Sequence, residues 1–231
     1  MEKISISDLS IEVHRSSRRK TVELAIDRDG CIMLYAPAAT DVFELEKLVK
    51  ERLIWIYQKL GRKDEELHQL PKKEYVSGEG FYYLGRKYRL KVVDDPLVTT
   101  LKFRNGRFIM PPSQQGNGQA VFTQWYADHA TEWLNRRIGM HQTRVGVEPQ
   151  AIGVQDLGFR WGSCTHTGKL FFHWRIILLP ARQIDYLILH ELVHLREHNH
   201  SPAFYEHLRR VTPDYEAHEE WLRRNGDFYS L

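Results

Sequence analysis

An α+β fold is what this sequence predicts, with a β-rich N-terminal region carrying one long helix over residues 1–112 and a helix-dominated region over residues 113–231. Short runs of β-branched and aromatic residues bounded by turn formers fill the first half. Longer stretches with helical apolar spacing dominate the end. Strands and helices do not alternate one for one, as a doubly wound sheet would require. At 231 residues the chain can bury a substantial core, as one domain or as two small ones.

The elements follow in order. Val22 to Ile26 and Cys31 to Tyr35 read as strands around a hairpin turn, Asp27-Arg28-Asp29-Gly30. Asp41 and Glu44 have the spacing of a capping box, and the helix behind them places Leu45, Leu48, Val49, Ile56 and Leu60 inward until Gly61 stops it. Residues 62–73 are polar and charged, as in a connector. Strands are expected around Phe81 to Leu84 and Lys87 to Val93. Asn105-Gly106, between Leu101–Phe103 and Phe108–Met110, signals a type I′ hairpin. Pro111-Pro112 and Gly116-Asn117-Gly118 punctuate the chain. A helix from Gln119 to Met140 follows, with Val121, Trp125, Ala130, Trp133 and Leu134 as its core positions. Strands at Val154 to Arg160 and Leu170 to Leu179 lead into a buried helix that begins with Ile184 to Leu189.

Composition narrows the function. No apolar run has the length of a membrane span, and Met1-Glu2-Lys3 does not open a signal peptide, so no membrane partner is expected. Two cysteines, Cys31 and Cys164, make no disulfide framework, which points to a reducing cytoplasm. A net charge of +3 and a pI near 8.8 are too mild to imply nucleic-acid binding, which is left only weakly supported. Oligomeric state has no signal in the sequence.

The chemistry lies in His190-Glu191-Leu192-Val193-His194. Residues four apart share a helix face, so His190 and His194 can grip one metal ion, with Ile184, Ile188 and Leu192 stacked on the opposite side. Two histidines and a glutamate on an apolar helix are costly to bury unless a metal or partners satisfy them. Glu191 is placed to take a proton from a metal-bound water, and three protein ligands on Zn²⁺ lower the pKa of that water to about 7. Three residues compete to be the third ligand. His198 continues the helical stripe, but about 12 Å of helix separates its α-carbon from that of His190, too far for tetrahedral convergence. His200 is better placed if Asn199 ends the helix in a left-handed conformation and Ser201-Pro202 starts the next one. Glu216 lies 22 residues after His194, as a ligand supplied by a later helix would.

The sequence resembles the YgjP-like metal-dependent hydrolases, relatives of the SprT-like and WLM zinc peptidases. The resemblance rests on Leu189 to Leu195, Asn199-His200-Ser201 and Phe204, with Arg160-Trp161-Gly162-Ser163-Cys164, Trp174-Arg175 and Pro180 upstream and Pro213-Asp214-Tyr215 and Trp221-Leu222 downstream. It is dense from Arg160 to Leu222 and reaches loosely back to Arg18-Arg19-Lys20, Pro37 and Trp55-Ile56. It implies a zincin-like C-terminal catalytic domain, zinc on His190, His194 and His200, and Glu191 as catalytic acid/base. His173 stands where an asparagine is expected and Tyr205 where a tryptophan is; the first bears on substrate preference and neither on the metal set.

The leading expectation is a zinc-dependent metallopeptidase acting on polypeptides. The family resemblance also implies an alternative, a nucleoside triphosphate pyrophosphatase of UTP type, in which Arg160, Lys169 and Arg175 would neutralise phosphates. A third, a nucleic-acid- or protein-binding module with a structural zinc, fits poorly with an intact Glu191. The strand Leu170 to Leu179 is a candidate edge for an extended peptide, or else an ordinary core strand. Cys164 reads as a packing residue of a turn. The cluster Arg15, Arg18, Arg19 and Lys20 reads as a solvated face, with a phosphate contact as the sharper alternative, and His207 and His218 as helix-surface residues.

Overall fold

A computed structural model of the chain describes residues 2–6, 9–26, 31–57, 59–60, 73–158 and 160–231. It divides into two compact units, Met1–Lys72 and Lys73–Leu231.

In the first unit β1 (Glu2–Ile6), β2 (Leu9–Ser16), β3 (Glu23–Ile26) and β4 (Ile32–Pro37) form one sheet in the order β1-β2-β4-β3. The β2–β4 pair is parallel and the outer pairs are antiparallel. Period-two patterning decides the buried face: Leu9, Ile11 and Val13 of β2 and Ile32, Leu34 and Ala36 of β4 are buried, and α1 (Val42–Glu51) adds Leu45 and Val49 to the same core. The expected pairing of β3 with β4 is present; its turn, 27–30, lies outside the described residues. Asp41 caps α1 by accepting from the Phe43 N–H at 3.0 Å. The helix expected to continue to Gly61 breaks at Arg52, whose φ of −107° and ψ of 8° leave the helical basin, and residues 53–57 are helical again. Gly61 falls outside the described residues.

The second unit begins well before the expected boundary at residue 112. β5 (Gly80–Tyr83), β6 (Arg86–Val92), β7 (Lys102–Arg104) and β8 (Arg107–Met110) form a sheet in the order β5-β6-β8-β7, with Asn105 and Gly106 at φ 51° and 70° in the predicted type I′ turn. These hairpins bury their apolar face on α2 (Gly118–Val145), so the Pro111-Pro112 punctuation lies inside one core. Phe81 stacks on Phe122 with ring centroids 4.0 Å apart, and the Tyr126 hydroxyl donates to the Tyr82 carbonyl at 2.7 Å. Phe122 and Tyr126 take the central places, while Val121 is half-buried. α2 runs beyond Met140 to Gly146, whose φ of 72° supplies the left-handed stop.

Behind α2 lies a three-stranded sheet of β9 (Ala151–Gln155), β10 (Gly162–Cys164) and β11 (Lys169–His173), in the order β10-β11-β9. Two expectations change here. The first strand ends at Gln155, because the Asp156 carboxylate accepts from the Gly158 N–H at 2.8 Å and turns the chain. The run Leu170 to Leu179 is only half strand: after His173 it winds into a 3-10 turn, Trp174–Leu178. His173 Nδ1 accepts from the Arg175 N–H at 3.0 Å and caps that turn. The turn's consecutive apolar residues, Trp174 and Ile176 to Leu178, are all buried, which a half-exposed strand could not achieve. Three helices complete the unit: α3 (Ala181–Val193), α4 (Pro202–Val211) and α5 (Tyr215–Asn225).

Candidate metal centre

α3 buries Ile184, Ile188 and Leu192 completely, so His190 and Glu191 are carried past the core on a fixed helix. Regular helix ends at Val193 with His194 as its cap, six residues before the expected stop at Asn199. Asn199 has no positive φ. Two other contacts shape the turn: the Glu197 N–H bonds the Val193 carbonyl at 3.0 Å, and the Arg196 guanidinium bonds the Gly146 carbonyl at the end of α2 at 2.9 Å. α4 then starts as the sequence suggests, with Ser201 accepting from the Phe204 N–H at 3.3 Å and Pro202 in the first turn.

This turn folds His200 back over the helix end. Its Nε2 lies 3.1 Å from that of His190 and 3.2 Å from that of His194, and the ligand atoms of all three lie within 4.8 Å of one another. Nitrogens bound tetrahedrally at about 2.05 Å from zinc stand about 3.3 Å apart, so the two separations from His200 are those of a ligand set. The donor chemistry agrees. His194 Nδ1 faces the Glu197 carbonyl at 2.9 Å, an arrangement in which the ring proton sits on Nδ1 and the Nε2 lone pair turns inward. Burial, with His194 and His200 adding to it, pushes His190 down to about 3; burial also lowers His194, against the opposing bond to Glu197. N–H···N hydrogen bonds could satisfy these contacts singly, whereas one cation would take the lone pairs of all three rings at once. The three residues therefore fit a metal ion. Phe204, fully buried, floors the set with ring centroids 5.0, 4.4 and 4.7 Å from those of His190, His194 and His200.

Glu191 lies beside the triad but outside it. Its side chain is buried, and Oε2 has no hydrogen-bond partner among the described residues. Burial pushes its carboxyl up to about 8, against the pull of Arg160. β10 passes flush over it: a Cβ on Gly162 would stand 2.6 Å from Glu191 Oε1. Strand and helix thus wall a cleft of about 620 Å³ lined by Trp161, Tyr186, Leu187 and Leu222, by the charged Arg160 and Glu219, and by His166 and His198.

The other candidates sort by position. His198 lines the cleft yet stands outside the triad, its ring against that of His166. Glu216 accepts from the Tyr215 hydroxyl at 3.0 Å and is 75% exposed, away from the metal set. Lys169 and Arg175 do not line the cleft, and Arg175 lies over the Trp174 ring. Cys164 does line it, but burial, with Glu191 adding, pushes its thiol up to about 11, which suits packing and not nucleophilic attack. His173 is buried and capping, a task an asparagine carbonyl would also perform, so the departure there is structural. His218 bonds Gln183 and pairs with Asp214, and the Nδ1 of His207 is buried. In the N-terminal basic cluster Arg15 pairs with Glu2 and Arg19 with Glu23. Sequence reasoning did not single out Tyr186 or Glu219, whose side chains meet at 3.1 Å in the cleft wall. Tyr186 carried a usable signal, standing four residues before His190 on the same stripe.

A protein-family model described as YgjP-like, metallopeptidase domain, matches residues 20–225. No match was found among curated proteins. Among solved structures, the crystal structure of the metallopeptidase zymogen of Pyrococcus abyssi abylysin is similar over 40% of this chain and 92% of that one, at 17% identity and a TM-score of 0.37. Since the family model spans nearly the whole sequence, the chain belongs to the YgjP-like family.

Proposed function

We propose that the protein is a zinc-dependent metallopeptidase of zincin-like type, with His190, His194 and His200 holding the ion and Glu191 acting as general acid/base. The observation that carries this reading is the convergence of three Nε2 atoms, two of the separations being 3.1 and 3.2 Å, beside a buried carboxylate with an unpartnered oxygen. A zinc ion in that set supplies Lewis-acid polarisation of a carbonyl and a more acidic water. Glu191 Oε2 takes the proton of the attacking water and passes it to the leaving amine, and burial, by raising its proton affinity, favours the first of these transfers.

The substrate proposed is an extended polypeptide. β11 is the central strand of its sheet, so the edge role expected for Leu170 to Leu179 passes to β10, whose outer side borders the cleft. A peptide paired there would run alongside Glu191. The pyrophosphatase alternative is less well supported, because only Arg160 of its three proposed phosphate partners lines the cleft. A purely structural zinc leaves a buried, unpaired carboxylate without purpose. No described helix is long and apolar enough to cross a membrane, and a cytoplasmic setting, which the scarcity of cysteine suggests, belongs to the same proposal. The test is to assay zinc-loaded protein in parallel on unfolded polypeptides and on nucleoside triphosphates. Peptide cleavage abolished by chelation and restored by zinc is the expected result. Activity that survives verified metal removal overturns the mechanism, and hydrolysis of triphosphates alone overturns the substrate.

A further inference from the structure

We propose that His166 and His198 form a second, weaker divalent-metal site at the cleft, taking a borderline cation such as zinc, nickel or copper(II) through two imidazole nitrogens and water. The two rings come from different elements: His166 from the turn between β10 and β11, His198 from the loop between α3 and α4. Their centroids are 5.2 Å apart at an interplanar angle of 65°. The three pairs within the triad stand 4.9, 5.1 and 4.7 Å apart at 76°, 42° and 82°. A separation of 5.2 Å is one that two imidazoles sharing an ion can have when each turns a ring nitrogen toward it. Both side chains are exposed, and neither has a hydrogen bond or ion pair among the described residues.

The backbones beneath them are fixed. Thr165 Oγ1 accepts from the Lys169 N–H at 3.0 Å and contacts Thr167 Oγ1 at 3.0 Å, while Gly168, at φ 77°, closes the hairpin. On the other side, the Glu197 carbonyl receives His194 Nδ1. Fixing the two backbones lowers part of the entropic cost of binding an ion, and the exposed rings become ordered as it binds. Imidazole favours zinc, nickel and copper over magnesium or calcium, and copper binds such a pair most tightly. With two protein ligands against three, this site fills after the triad. An ion there ties the hairpin to the loop across the cleft, so excess metal slows turnover; the binding stands apart from the peptidase reading, and only this effect on rate rests on it.

Equilibrium dialysis with zinc, on the full chain and on His166→Ala, His198→Ala and His190→Ala, tests the assignment. The expected result is two equivalents for the native protein, the second at least 10-fold weaker, with His166→Ala and His198→Ala each losing only the weaker one. Inhibition of polypeptide cleavage by excess zinc should vanish in the same two variants. A single equivalent lost in His190→Ala but kept in His198→Ala overturns the second site and leaves the catalytic reading intact. A single equivalent lost in His198→Ala but kept in His190→Ala overturns the assignment of the triad as the principal site, and with it the second, weaker site. Two equivalents retained in both outer variants also overturn the proposal.

Discussion

Any side chain at position 162 conflicts with the present position of the Glu191 carboxylate, since a Cβ there would come within 2.6 Å of its Oε1. Gly162→Ala should therefore push either β10 or the carboxylate aside. Misplacement of a reacting group by about 1 Å costs on the order of 10²-fold in rate, so kcat should fall by about that much while bound zinc, measured by metal analysis, stays at the native level. Glu191→Gln keeps the shape and removes the proton acceptor; a loss of roughly 10²–10⁴-fold with zinc retained is expected, and native turnover or lost zinc would contradict the role. His200→Ala should lose both zinc and activity. Glu216→Ala should lose neither, because that carboxylate turns away to Tyr215 and Arg209. The pair His190 and His194 was legible because four-residue spacing is a property of the chain itself, whereas the place of His200 depends on the turn after Val193. Gly162 was visible only as part of a motif: its meaning comes from a strand laid across a helix 29 residues later, and no local pattern records that contact.

At the level of elements, a charged contact to α2 adds to the apolar burial that holds α3. Asp185 receives Arg137 Nε at 2.8 Å and His141 Nε2 lies 3.1 Å away, on the face of α3 next to the residues that lead to His190. Burial alone would raise the Asp185 pKa, but hydrogen bonds from His141 and Arg137 outweigh it and leave the carboxyl below its ordinary value. A carboxylate depressed in the folded state contributes stability above its unfolded pKa near 4, and that contribution is lost as pH falls through the lower folded value. Asp185→Asn should remove on the order of 2 kcal/mol at pH 7, and the gap between variant and native protein should narrow as pH falls below the ordinary carboxylate range. A difference in denaturant midpoint that is independent of pH would show that the charge contributes nothing. Helices with strong apolar spacing, such as α2 and α3, were readable in advance because local periodicity and tertiary burial agree. The run after His173 was misread because a continuous apolar stretch has no period, and a buried cap, the bond from the Arg175 N–H to His173, decided between strand and 3-10 turn. β1 and β2 were overlooked although Leu9, Ile11 and Val13 alternate with Ser10, Glu12 and His14 as in a half-buried strand, and pairing makes them a sheet.

For the molecule as a whole, the division into Met1–Lys72 and Lys73–Leu231 has a thermodynamic consequence. The sequence placed the boundary at its strongest Pro/Gly punctuation, but punctuation marks a change of direction, and a boundary is where burial stops being shared. Tyr75, Phe81 and Phe108 share one core with α2, while Ile11, Leu34 and Leu45 belong to a separate one. Each core can then melt as its own cooperative unit. The metal triad lies wholly in the second unit, so an ion bound there stabilises that unit alone. At 100 times its dissociation constant a ligand specific to the folded state adds about 2.7 kcal/mol. For a unit of this size each kcal/mol raises Tm by roughly 2–4 °C, so zinc should lift one transition by about 5–11 °C. Calorimetry of the full chain with zinc and with chelator should therefore show two transitions, of which only one moves. His190→Ala should hold that transition at its chelated position at zinc concentrations that fill the triad but not the weaker outer pair. A single transition that shifts as a whole would mean that the two cores unfold together, and two that both shift would place a metal ligand in the first unit.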